Sequence, residues 1–121
     1  MRKLIAISAL AIISACVSSD PEAAAERRQA LIQQIFPALS DQQGIGLVFP
    51  IESGGFYSSL EIIYYKNEVS ESEIIRRTSN YCAAHTGNTS ATLKRRGSLT
   101  EVPHSDGTKH PAAQIWLSCF N

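Results

Sequence analysis

The sequence predicts an α+β fold: a small antiparallel sheet of about four strands with two helices, in the chain order α-β-β-α-β-β. Two observations predict it. Apolar residues recur at helical spacing in two stretches, and elsewhere they alternate with polar ones over strand-length runs. Glycine-bearing segments punctuate these runs where a hairpin or a helix stop is needed.

Ala23 to Leu39 reads as the first helix. Ala24, Leu31, Ile32, Ile35, Phe36 and Leu39 form a stripe, with Glu26, Arg27, Gln29 and Gln33 off it. Pro37 lacks an amide donor and frays the last turn. Asp41 to Gly44 is a loop. In the first strand, Ile45, Leu47, Phe49 and Ile51 alternate and are expected to share one buried face. Glu52-Ser53-Gly54-Gly55 turns the chain into the second strand, Phe56 to Tyr65. There Leu60, Ile62 and Tyr64 share one side, while Tyr57, Glu61, Ile63 and Tyr65 share the other. Val69-Ser70-Glu71-Ser72-Glu73-Ile74 has the form of a capping box with a hydrophobic staple. The helix it opens runs to about His85, with Gly87 as its left-handed stop. Ala91 to Thr100 is the third strand, and its Lys94 and Arg96 suit an outer position. Val102 to Pro111 is expected to be a loop, and Ala113 to Phe120 the last strand, with Ile115, Leu117 and Cys119 on one face.

The amino terminus carries a different signal. Arg2 and Lys3 precede the apolar run Leu4 to Ile13, too short to span a bilayer. The run ends in Ile13-Ser14-Ala15-Cys16, which resembles the lipobox of bacterial lipoproteins. That resemblance implies that residues 1–15 are a signal peptide, removed after the Cys16 thiol has received a diacylglyceryl group. Residues 16–22 would be a lipidated tether and 23–121 a single periplasmic domain. Acyl chains contribute about 0.8 kcal/mol per buried methylene, so several of them hold a protein at a membrane. Val17 follows the cysteine, whereas lipoproteins kept in the inner membrane often carry Asp there. The resemblance therefore implies the bacterial cell envelope, at the outer membrane facing the periplasm. The rest of the chain loosely resembles small proteobacterial envelope proteins, which implies no activity.

Lipidation of Cys16 leaves Cys82 and Cys119 as an even pair in an oxidising compartment, expected to bond to each other. The two periodicities agree, since Cys82 lies on the helix stripe that should face the sheet and Cys119 beside Ile115 and Leu117. Removal of the first 15 of 121 residues leaves 106, enough for one small domain that benefits from such a staple. The eleven basic and eleven acidic residues give no case for nucleic-acid binding. From Asp20 to Ile75 acidic residues dominate, and from Arg76 onward basic ones do.

Candidate sites are few. If the core takes Leu60, Ile62, Ile115 and Leu117, the opposite face carries the aromatics Tyr57, Tyr65, Trp116 and Phe120, a strip suited to an envelope protein or a glycan. Lys94, Arg95 and Arg96, joined by Arg76 and Arg77, form a candidate anion-binding patch. Cys82, His85, His104, His110 and Cys119 could be drawn as a zinc set, but the spacing is weak and a disulfide would take both sulfurs. Ser105 and Asp106 beside a histidine lack the geometry that defines a triad. The reading therefore assigns no metal and no cofactor. It favours a membrane-anchored, non-catalytic binding or scaffold module. The alternative is a periplasmic metal-binding protein or small enzyme using His85, His104 and His110.

Overall fold

A computed structural model describes residues 21–87 and 90–120. The expected signal peptide, Cys16 and most of the expected tether lie outside the described residues. Among the described residues, no helix is long and apolar enough to cross a membrane.

Among the described residues the chain is α+β, with an antiparallel sheet of five strands and three helices. Their order is α1 Pro21–Ile35, α2 Leu39–Gln42, β1 Ile45–Ser53, β2 Phe56–Tyr65, α3 Glu71–Thr86, β3 Thr92–Arg96, β4 Glu101–Pro103 and β5 Lys109–Ser118. The sheet runs β1-β2-β5-β3, and β4 also pairs with β5. Two expectations about element number need correction. The first helix stops before Pro37, and Leu39, expected on its buried stripe, is 80% exposed at the start of the one-turn α2. A residue before proline is pushed out of helical geometry, which ends α1 there. The Gln42 side chain then donates to the Phe36 carbonyl (2.9 Å), satisfying an acceptor near the helix end. The stretch expected to be a loop, Val102 to Pro111, is instead a β4–β5 hairpin with Pro103 opposite Lys109.

Both long helices serve the same face of the sheet. Ile32, Ile35 and Phe36 from the first, with Ile74, Tyr81 and Cys82 from α3, pack against Val48, Leu60, Ile62, Tyr64, Ile115 and Leu117. α3 begins as the sequence implies. The Ser70 hydroxyl accepts the Glu73 amide (3.1 Å), and Gly87 ends the helix in the left-handed region (φ 76°). The Glu73 carboxylate does not return to Ser70. It accepts from Arg76 and Arg77, which holds it well below its ordinary 4.5, at about 2. Val69 and Ile74 are both buried, as the staple requires.

The expected staple is present. Cys82 and Cys119 form a disulfide with Cα atoms 5.3 Å apart, closing 37 residues of chain. In the chain-entropy account, a loop of that length stabilises the fold by about 4 kcal/mol. The same end is latched by the Tyr81 hydroxyl, which accepts the Tyr57 amide at 2.8 Å.

Three register slips decide which residues reach the second face. Between Ile45 and Leu47 the pairing with β2 gains one residue, leaving Gly46 as a β-bulge. Ile45 and Val48 then face the helices, and Leu47, Phe49 and Ile51 are turned to the other side. The first strand's alternation is thus real but its direction differs from expectation: Phe49 is 48% and Ile51 63% exposed. Ile51 pairs with Ser59 and Glu52 with Tyr57, so Ser58 is the extra residue on β2. Leu93 pairs with Leu117 and Arg95 with Trp116, which makes Lys94 the extra residue on β3.

Among the described residues, the second face is covered only at one end. There Ile63, Tyr65 and Ala112 form a small buried cluster under Leu47, Leu99 and Val102, the last two supplied by the segment leading through β4.

Candidate functional site

The four aromatics expected to form one strip are separated into four places. Tyr57, on the far side of the Ser58 bulge, packs against the helix-side core. Phe120 lies beyond the last paired residue of β5, its amide donating to the Ser118 hydroxyl, so strand alternation no longer governs it. It meets Phe56 edge-on at 6.0 Å, and Phe56 in turn stacks on His85 at 5.4 Å. Tyr65 is buried in the second-face cluster and packs against His104, ring centroids 4.4 Å apart. Trp116 stays on the second face, with the Arg95 guanidinium 3.9 Å above its ring.

The basic patch is largely committed to ion pairs. Arg96 makes two bonds to Glu71, both 2.8 Å. Arg76 binds Glu73 and Asp41. Arg77 is buried, and it donates to Glu73 and to the Asp41 and Gln43 carbonyls, fixing the loop into β1. Among the described residues, Lys94 and Arg95 make no ion pair.

Two constellations result. The first is the open half of the second face. Phe49, Ile51 and Trp116 border a groove of about 360 Å³, with Lys94 and Glu61 at its rim. Glu61 accepts from the Gln114 side chain, which ties the groove's floor to β5. Of this group the sequence reading named Trp116 and Lys94. It saw the Phe49–Ile51 alternation but assigned it to the core, because the Gly46 bulge reverses its direction. A glycine inside an otherwise regular strand is the signal that points to such a bulge.

The second constellation sits at the β4–β5 turn. His104 donates its amide to the Thr108 carbonyl (2.8 Å), and Gly107, at φ +87°, closes the turn. The hairpin places Val102 opposite His110, so His104 and His110 become diagonal neighbours on one face, ring centroids 4.4 Å apart. Glu68, from the β2–α3 connection, reaches His104 Nε2 at 2.8 Å. Asp106 accepts from the Thr108 amide (2.9 Å) and hydroxyl (2.7 Å) and meets His110 Nε2 at 2.9 Å. Those bonds, the Thr108 ones first, hold its carboxyl far below the usual carboxylate range. Burial pushes the Tyr65 phenol up, and the charges of Glu68 and Asp106 push it further. The environment is therefore electronegative. A cavity of about 740 Å³ opens beside it, between α1 and the start of β1, with Tyr65, Glu68, His104 and Ser105 in its wall.

His85 takes no part in this cluster; it lies against Phe56 and Tyr81 near the end of α3. The cysteines are consumed by the disulfide. Glu68 escaped the sequence reading because it lies 36 residues from His104 and only the fold brings them together. The pairing of His104 with His110 was accessible, since Asp106-Gly107 between two short runs is a hairpin signal.

No protein-family model, curated protein or solved structure matches this chain.

Proposed function

We propose that this chain is a lipid-anchored binding module of the bacterial cell envelope, tethered through Cys16 to the outer membrane and acting without turnover. It holds an envelope protein on the open half of its second sheet face. One observation carries the reading: Phe49 and Ile51 are large apolar side chains, about half and nearly two-thirds exposed, on the same face as Trp116. Large side chains gathered around one groove mark an interaction surface more than scattered ones do. Lys94 and Arg95, without ion pairs among the described residues, favour a partner segment that joins apolar residues to carboxylates.

The anchor rests on the Ile13-Ser14-Ala15-Cys16 sequence. Cys16→Ser should abolish incorporation of labelled fatty acid, and undiminished labelling would remove the anchor from this reading. For the surface, a photoreactive amino acid at position 51 should crosslink to an envelope protein in intact cells. Phe49→Asp should eliminate that product without lowering the melting temperature. A product insensitive to Phe49→Asp, or one containing only a second copy of the chain or a glycan, would overturn the assigned partner.

A further inference from the structure

We propose that Glu68, His104 and His110 form a binding site for a borderline divalent metal ion, of which zinc is the representative. The site is independent of the open sheet face.

The argument begins with donor type. Two imidazoles and one carboxylate are the set that suits zinc and its neighbours, whereas calcium and magnesium take oxygen-only shells. Each residue offers one ligand atom, and these atoms lie within 4.8 Å of one another. A closed tetrahedral site with bonds of about 2.0–2.2 Å puts its donors roughly 3.3–3.5 Å apart. Glu68 and His104 already approach to 2.8 Å.

The surroundings suit the same role. Metal-ligating imidazoles are oriented by partners outside the coordination shell. The Ser105 amide donates to His104 Nδ1 at 2.8 Å and the Ser105 hydroxyl stands 3.1 Å from the same nitrogen, which fixes the orientation of the ring and leaves Nε2 facing Glu68. Asp106, itself fixed by Thr108, stands on His110 and adds a second negative charge at the rim. The His104 ring is braced by Tyr65, whose hydroxyl donates to the Pro103 carbonyl at 2.8 Å. The imidazoles thus come from a short hairpin pinned at both ends, and Glu68 from the connection between β2 and α3. The neighbouring cavity, about 740 Å³, leaves a coordination position facing open space, as sites that accept water or a small ligand require.

Zinc sulfate titrated into the full-length chain in detergent should bind with one equivalent per chain, measured by calorimetry. His110→Ala and Glu68→Gln should each weaken that binding by about 100-fold or more, since loss of a partner outside the coordination shell already costs about 10–100-fold. His85→Ala should leave it unchanged. Zinc should also raise the melting temperature of the parent and fail to raise that of Glu68→Gln, while the metal-free melting temperatures of the two agree. Absence of stoichiometric binding, binding undisturbed by both ligand variants, or preference for calcium over zinc would overturn the proposal.

Discussion

Ile62 and Ile51 belong to adjacent strands of one sheet and lie on opposite faces. Ile62 is sealed under the helices, in the layer that the Cys82–Cys119 bond crosses. Ile51 is 63% exposed, with only the groove beside Trp116 for company. The difference lies in what covers each face. α1 and α3 both turn their apolar stripes to the first, and among the described residues the second receives only Leu99 and Val102 at one end. A domain with two amphipathic helices and a two-sided apolar sheet closes one side well and leaves half of the other to the outside. The proposed binding surface is that remainder.

The largest effect should come from the closed face. Replacing Cys82 and Cys119 together by alanine should lower the unfolding free energy by about 4 kcal/mol, read from urea denaturation against the oxidised parent. A loss below about 1 kcal/mol would mean that the first face does not depend on its staple.

Next comes the direct contrast between the two isoleucines. Ile62→Ala should cost about 3 kcal/mol, the midrange for a buried aliphatic truncation. Ile51→Ala should stay within about 0.5 kcal/mol of the parent. Similar losses at both positions would erase the distinction between the faces. Trp116→Ala should fall between them, at about 2 kcal/mol, because the partly buried ring forfeits its covered area and the contact with Arg95. A loss of several kcal/mol would return Trp116 to the core.

The smallest effect should be acid sensitivity from the helix that covers the closed face. Folding lowers the Glu73 carboxyl from 4.5 to about 2, so the folded state favours its charged form. That contribution is complete above pH 4.5 and is lost as the pH falls toward 2. Glu73→Gln should therefore flatten the acid limb of a melting-temperature profile over that window and leave its slope above pH 6 unchanged. An acid limb identical to the parent's would assign the loss of stability to other carboxylates.

Much of this architecture was legible in the residues. Ser70 and Gly87 mark the ends of α3, and the helix and strand periods place Cys82 and Cys119 in one layer. What periodicity could not supply was phase. Alternation reports that Leu47, Phe49 and Ile51 share a side; the bulge at Gly46 decides which side it is. The bulges at Ser58 and Lys94 do the same for Tyr57 and for Arg95 against Leu93. Each adds one residue, and with a period of two one residue reverses everything beyond it. The histidine cluster was half legible. The turn that joins His104 to His110 is a local signal, but Glu68 arrives from a distant connection whose path the core determines.

The Gly46 and Lys94 bulges have a second consequence, because β1 and β3 are the outer strands of the sheet. A straight, flat border is a template on which further chains can stack into fibrils. A bulge bends its strand and interrupts the regular ladder of amide and carbonyl groups that such stacking needs. With one kink on each described border, the sheet is a poorer template for edge-on self-assembly, even with Phe49 and Ile51 uncovered.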